Sequence, residues 1–311
     1  MASWQNPLGR ARKGVEDVVT FYRRLPKFDV VTPRTLDEAL GLLKGNHDGE
    51  IRLFAGGTDL IPRLKERIVK TPRCLLDLKR IPDLDYVRED GDGGFRIGAL
   101  ASIASVASSP IVRERCSILA QAAGSIASNQ IQNRGTVAGN ICNAVPSADS
   151  APALVCLDAV VLCASTRGTR KVSIHEFFTG PYKTVLGEDE IVREIQIPGA
   201  HAKANGVYIK LSPRSRMDLA VVGVAAMVSQ EKGLLKDVRI GLGAVAPTPM
   251  RAKKAEAMLK GESLGDELLA RAAKTASEEA RPIDDHRASA EYRRMMVEVL
   301  VRRAVGQCLA G

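Results

Sequence analysis

Two stretches of this chain have the composition of phosphate cradles. "FAGGTDLIP" (54–62) runs an apolar strand into Gly56 and Gly57, followed by Thr58 and Asp59. Paired glycines let backbone N–H groups converge with no Cβ in the way, and Thr58 adds a hydroxyl donor. Taken alone, a strand ending in Gly-Gly is more often a plain turn. "NRGTVAGNICNAVPSADSAPA" (133–153) repeats the combination with Gly135, Thr136, Gly139 and Asn140, then Ser147, Asp149 and Ser150 ahead of an apolar helix. A carboxylate at Asp149 either caps that helix or accepts from a ribose hydroxyl, and the sequence leaves both roles open. A dinucleotide has two phosphates to be held from both sides, and two such loops can hold them. Gly139 is expected to be the less replaceable residue of the second loop, needing close backbone approach and a φ that other residues avoid.

Other chemistries lack their residues. "VRIGLGAVAPTP" (238–249) has the form GxGxxA, but Pro247 and Pro249 interrupt the turn into a helix and the strand belongs to no β-α-β repeat. There is no GxSxG and no cysteine paired with a nearby histidine; Glu278-Glu279 and Asp284-Asp285 lie on polar, solvated segments. The six cysteines (Cys74, Cys116, Cys142, Cys156, Cys163, Cys308) include no CxxC, and His47, His175, His201 and His286 are isolated, so no metal site is expected. With no acid–base machinery or metal ligands, the hard chemistry is left to a cofactor.

The elements that must position these loops read in three parts. Residues 1–25 form a short basic extension. The body begins at Phe28 with a helix capped by Thr35 with Glu38; the strand at 51–57, a helix from Asp59 and the strand "CLLDL" (74–78) then make a β-α-β pattern. "DYVREDGDGGFRIGAL" is a hairpin with Asp-Gly turns, a helix spans about 111–127, and "ALVCLDAVVLCAS" passes from helix into strand. After the linker "IPGAHAKANG" (197–206) come three strands and helices at about 250–260, 263–280 and 289–308. The domains are therefore expected at 26–199, with parts 26–80 and 81–199, and at 204–309, the latter a three-stranded antiparallel sheet with helices in an α+β arrangement.

Composition narrows the class. The 311 residues are 45% hydrophobic and 26% charged, enough for a sizeable core. The longest apolar window, "LAVVGVAAMV" (219–228), is about half a bilayer span, and no secretory signal begins the chain. Scattered reduced cysteines point to the cytoplasm. The net charge of +9 comes from dispersed Lys and Arg, and only 4% of residues are aromatic, so nucleic acid is not the expected partner. Acidic partner subunits or a phosphorylated cofactor suit that charge.

In combination, "AGGTDL", "QIQNRGTVAGNICNAVPSADSAPAL", "FFTGPYKT", "YIKLSPRSRMDLAVV" and "EYRRMMVEVLVRRA" resemble the FAD-binding medium subunits of the molybdenum hydroxylases, the family of xanthine dehydrogenase, carbon monoxide dehydrogenase and 4-hydroxybenzoyl-CoA reductase. The resemblance covers about residues 27–308. It implies a two-part FAD-binding fold of the vanillyl-alcohol-oxidase type followed by the C-terminal domain. It places the first flavin loop on Leu53, Ala55, Gly56, Gly57, Thr58, Asp59 and Leu60, with the backbone of 55–59 around the pyrophosphate. The second falls on Ile126, Ala127, Thr136, Gly139, Asn140 and Cys142. An acid on the adenosine side falls on Asp149, a flavin-contacting lysine on Lys210, and an aromatic near the isoalloxazine on Tyr182.

By the same resemblance the chain would hold FAD and move electrons; apart from Cys142, the two glycine loops lack the neighbouring histidine or cysteine that covalent flavin attachment uses, so the FAD is expected to be non-covalent. Its partners would be a large molybdenum-cofactor subunit and a small subunit with two [2Fe-2S] clusters, commonly as a doubled heterotrimer. "GNICNAVPSAD" lacks the cysteine-rich insertion of the benzoyl-CoA reductase branch, so no cluster is expected in this chain. A free-standing flavin oxidase or reductase with its own substrate site is the alternative, and the lack of an evident acid/base pair counts against it.

Overall fold

The computed structural model describes residues 24–201, 205–215 and 217–310, and all but the last two residues of the basic extension lie outside these. The first elements are β1 (Asp29–Val31), α1 (Leu36–Leu43), β2 (Ile51–Phe54), α2 (Leu60–Lys65) and β3 (Cys74–Asp77). Thr35 caps α1 by accepting from the Glu38 N–H, and Ala39, Leu40 and Leu43 form its buried face. The crossovers make the three strands parallel in the order β1-β3-β2. The Gly56-Gly57 loop therefore leaves the carboxyl end of a parallel strand, where ligands collect in such sheets.

Beyond this sheet the period changes. β4 (Val87–Glu89) and β5 (Phe95–Gly98) form the expected hairpin, closed by Asp90 N–H to Gly94 O at 2.9 Å with Gly93 at φ +85°. The helix expected over 111–127 is broken: α3 (Ile103–Ser108) precedes α4 (Pro110–Arg115) and α5 (Ser117–Gly124), the last two parted at Cys116, φ −155° and ψ 55°. α6 (Asn129–Gln132), α7 (Val137–Cys142) and α8 (Ser150–Cys156) carry the second glycine loop. β6 (Val160–Ser165), β7 (Gly168–Ser173), α9 (Ile174–Phe177), the small hairpin of β8 (Phe178–Gly180) with β9 (Lys183–Thr184), and β10 (Ile191–Ile197) follow. The antiparallel sheet β4-β5-β10-β6-β7 shares a core with the helices, centred on Phe95, Ile97, Leu119, Ile141, Leu154 and Phe177.

β11 (Asn205–Leu211), β12 (Val222–Glu231) and β13 (Leu234–Gly243) are the three expected antiparallel strands. A fourth, β14 (Met250–Arg251), pairs with Gly241 and Leu242, so the C-terminal sheet has four strands rather than three. Two residues carry no period to read, and these follow Pro247 and Pro249 in a stretch whose helical pattern begins only at α10 (Lys253–Leu259). Glu256 of α10 clasps the Arg251 guanidinium, holding β14 to the sheet. α11 (Asp266–Glu279) and α12 (Ala290–Ala310) complete the helical layer.

Successive residues of a strand face opposite sides. On β12, Val222, Val224, Ala226 and Val228 pack against the C-terminal helices, while Ala225 and Met227 join the N-terminal core. Burial on both faces is why 219–228 reads as one unbroken apolar run. On β11 the same alternation sends Val207, Ile209 and Leu211 to the helices and Tyr208 to the other side. The glycines of the GxGxxA stretch serve this packing. A Cβ at Gly241 would lie 2.4 Å from Pro152 O, and one at Gly243 would lie 2.6 Å from Pro152 Cγ, so both let α8 lie on β13.

The two layers are also joined by charge. Asp158, at φ +47°, receives Arg239 Nη1 at 2.6 Å and lies 2.7 Å from His175 Nε2, 3.3 Å from His201 Nε2 and 3.5 Å from Arg251 Nη1. Burial alone would raise its pKa, but the His175 hydrogen bond and the charges of Arg239 and Arg251 hold it at about 2. A carboxylate whose folded pKa lies below its unfolded value of about 3.9 stabilises the fold above that value and loses the contribution as pH falls towards 2. Asp158→Asn is expected to lower stability at neutral pH, with the gap to wild type closing between about pH 4 and pH 2. Acid unfolding curves that stay parallel down to pH 2 would contradict this coupling.

Candidate functional site

A cleft of about 860 Å³ opens where the first glycine loop, α7, the start of α8 and Lys210 of β11 meet. That volume is in the range of small-molecule and cofactor sites. Every residue named for the flavin from sequence, from Leu53 to Lys210, lines this one cleft.

The first loop presents donors. Folded chains pair nearly all their buried backbone N–H groups. Those of Gly56, Gly57, Thr58, Asp59 and Leu60 have no acceptor among the described residues, and all five residues line the cleft. Such a row suits an anion with several oxygens. The glycines make it possible for two different reasons. A Cβ at Gly56 would sit 2.2 Å from Arg134 O, because the two loops touch backbone to backbone there. Gly57 has φ +73°, and a Cβ on it would strike the Phe54 ring at 2.2 Å. Asp59 does not cap α2; burial raises its pKa, opposed by the Arg63 charge.

The second loop is built differently from expectation. Thr136 Oγ1 accepts from the Gly139 N–H at 2.9 Å and so caps α7. Gly139 lies inside α7, is not among the residues with positive φ, and a Cβ there would meet only Thr136 Oγ1 at 2.9 Å. The close backbone approach is made at Gly135, packed against Ile103 and Ile131, and at Gly56 facing it. Asn140 Oδ1 accepts from Ser150 Oγ at 2.6 Å, which orients the amide so that its NH2 is left for a ligand. Gln132 Nε2 holds the Ile126 carbonyl at 2.8 Å, and Ala127 follows at φ +45°. Cys142 is not poised as a nucleophile, since burial pushes its thiol up to about 12.

Of the two roles its position allowed from sequence, Asp149 does not take the first: it makes no side-chain cap to α8. Its carboxylate, 6% exposed, accepts from Tyr208 Oη at 2.7 Å and from Lys210 Nζ at 2.8 Å. Burial raises the Asp149 pKa, and Lys210 and Tyr208 oppose the rise. Lys210 also donates to Ser125 O at 3.1 Å, tying the C-terminal sheet to the end of α5. Asp149 and Lys210, read from sequence as serving opposite ends of a cofactor, thus meet at one point. Tyr208 was missed, although its signal is the strand period itself: residues 208 and 210 share a face of β11.

Tyr182 stands at the rim, 56% exposed and at φ +59°, with its N–H on Ala144 O at 2.8 Å. Arg63 stacks 4.6 Å from its ring centroid and donates to Asn143 Oδ1 at 3.0 Å. Neither Arg63 nor Asn143 stood out in the sequence, although Arg63 lies one helical turn after Asp59.

Known proteins share this architecture. Residues 26–200 match the FAD binding domain in molybdopterin dehydrogenase, and residues 207–308 match the CO dehydrogenase flavoprotein C-terminal domain. The glyceraldehyde dehydrogenase medium chain of Sulfolobus acidocaldarius is 34% identical over 90% of this chain and 97% of its own. The xanthine dehydrogenase FAD-binding subunit of Escherichia coli O157:H7 is 31% identical over 89% of this chain and 94% of its own. Among solved structures, a chain of carbon monoxide dehydrogenase from Hydrogenophaga pseudoflava superposes with a TM-score of 0.88 at 36% identity, covering 92% of this chain and 99% of that one. By both domain matches and these relatives, this chain belongs to the FAD-binding medium subunits of the molybdenum hydroxylase family.

Proposed function

We propose that this chain holds FAD in the two-loop cleft. In that place it passes electrons between [2Fe-2S] clusters of a small partner subunit and an external acceptor or donor, while a large molybdenum-cofactor subunit acts on the substrate. The observation that carries the reading is the run of five N–H groups from Gly56 to Leu60 with no acceptor among the described residues, facing the start of α7 across the Gly56–Arg134 contact. Those donors would take the diphosphate, and the Asn140 amide and Thr58 hydroxyl would add to them. Asp149, ion-paired with Lys210, is assigned together with that lysine to the flavin side, with Tyr182 covering the rim. When bound, FAD supplies two-electron storage with one-electron exchange.

The chain's own groups bind and orient rather than react. Asp149 is committed to Tyr208 and Lys210, Glu190 is held by Arg170 in a bidentate pair, and the Cys142 thiol stays protonated. An assembly of one large, one medium and one small subunit, doubled and cytoplasmic, fits the family and the chain's positive charge. Among the described residues no helix is long and apolar enough to cross a membrane.

The purified chain is expected to carry one FAD, all of it released to the supernatant by acid precipitation. Flavin left on the pellet would contradict non-covalent binding, and a colourless chain that takes up no FAD would contradict the site.

A further inference from the structure

Beside the first glycine loop, outside the residues that the flavin reading names, stands Lys79. Its ammonium lies 3.8 Å from the Phe54 ring centroid, donates to Ala55 O at 3.3 Å and pairs with Asp77 Oδ1 at 2.8 Å. Asp77 also accepts the Lys79 N–H at 3.0 Å and sits in register with Phe54 at the end of the neighbouring strand, so the lysine is anchored to the sheet. Its side chain is 31% exposed and that of Asp77 18%.

From these contacts we propose that Lys79 is a positioning residue that sets the donor geometry of the phosphate loop. In a trans peptide the C=O and the following N–H point in opposite directions. Holding the Ala55 carbonyl on Lys79 therefore directs the Gly56 N–H, first of the five donors without an acceptor among the described residues, to the opposite side. Released, that carbonyl is free to turn its negative end towards the anion. The same ammonium fixes the Phe54 ring, and that ring fills the space a Cβ on Gly57 would occupy. One charge thus orients the peptide before the two glycines and supports the second of them. An ordinary exposed Lys–Asp pair would do neither and would contribute little.

The proposal rests on the reading of Ala55 to Leu60 as the diphosphate loop, and its test separates the two. The flavin-free full chain is titrated with FAD and, separately, with riboflavin, which has no phosphate, following the quenching of flavin fluorescence. Lys79→Met is expected to weaken FAD about tenfold, the scale of one hydrogen-bond donor to a charged group, and to leave riboflavin affinity unchanged. Lys79→Arg, which can still donate and stack, is expected to restore most of the FAD affinity. Wild-type FAD binding by Lys79→Met would overturn the proposal. So would an equal loss of FAD and riboflavin, the signature of a merely structural role or of misfolding. Normal FAD binding by Gly56→Val would instead remove the loop assignment beneath it.

Discussion

Gly56→Val is expected to lose FAD almost completely, with affinity falling about 100-fold or more. The added Cβ would stand 2.2 Å from the Arg134 carbonyl oxygen and 2.7 Å from Gly135 Cα, both backbone atoms that cannot swing aside. Overpacking of that kind costs about 1–3 kcal/mol in strain even where side chains can adjust. Here relief comes only from parting the two loops, which pulls the Gly56–Leu60 donors away from the Asn140 side of the cleft. Gly139→Val should be the milder change, because its Cβ meets only the Thr136 hydroxyl at 2.9 Å. Flavin content after purification and a fluorescence titration measure both. Equal retention of FAD by wild type and Gly56→Val would show that the loop contact does not shape the site.

Lys210→Met is expected to destabilise the fold by about 3–5 kcal/mol, the cost of leaving a buried carboxylate without its counter-ion. Lys210 and Asp149 side chains are 6% and 7% exposed, so water does little to replace the lost partner. Asp149→Asn combined with Lys210→Met should recover a large part of that loss, because no buried charge is then left uncompensated. The single variant carries a pH signature as well. Burial already raises the Asp149 pKa against the pull of Lys210, and removing the lysine raises it further. A carboxyl with a raised folded pKa binds its proton more tightly folded than unfolded, so the deficit should shrink as pH falls through that raised value towards the unfolded one. Denaturant unfolding at several pH values checks this. A deficit under about 1 kcal/mol, the scale of an exposed pair, would mean that Asp149 is not dependent on Lys210.

Much of this was legible before the structure, for identifiable reasons. Helix α1 announced itself through Thr35, Glu38 and the Leu36-Leu40-Leu43 spacing, and the β4–β5 hairpin through its Asp-Gly pairs, because those signals are local. The site residues came from the combination of two glycine loops with a family resemblance, and the fold gathers all of them on one cleft. What was not legible depends on tertiary contact. Nothing local distinguishes Gly56, wedged against Arg134 of the other loop, from Gly139, which is a helical residue. Asp149 opens a helix in sequence, yet its partners arrive from β11, about sixty residues later. The fourth strand, Met250–Arg251, is too short to have a period and exists because Glu256 holds Arg251 against the sheet.

The central claim is that this chain is an electron carrier dependent on partner subunits, and one measurement tests it most directly. The flavin-loaded chain is mixed anaerobically, alone, with the reducing substrate of the proposed assembly, and the flavin absorbance is followed. The account predicts no bleaching by the lone chain, and bleaching once the large and small subunits are added. Bleaching of the isolated chain at a rate ordinary for enzymes, about 1–10³ s⁻¹, would contradict it and make the cleft a substrate site in its own right.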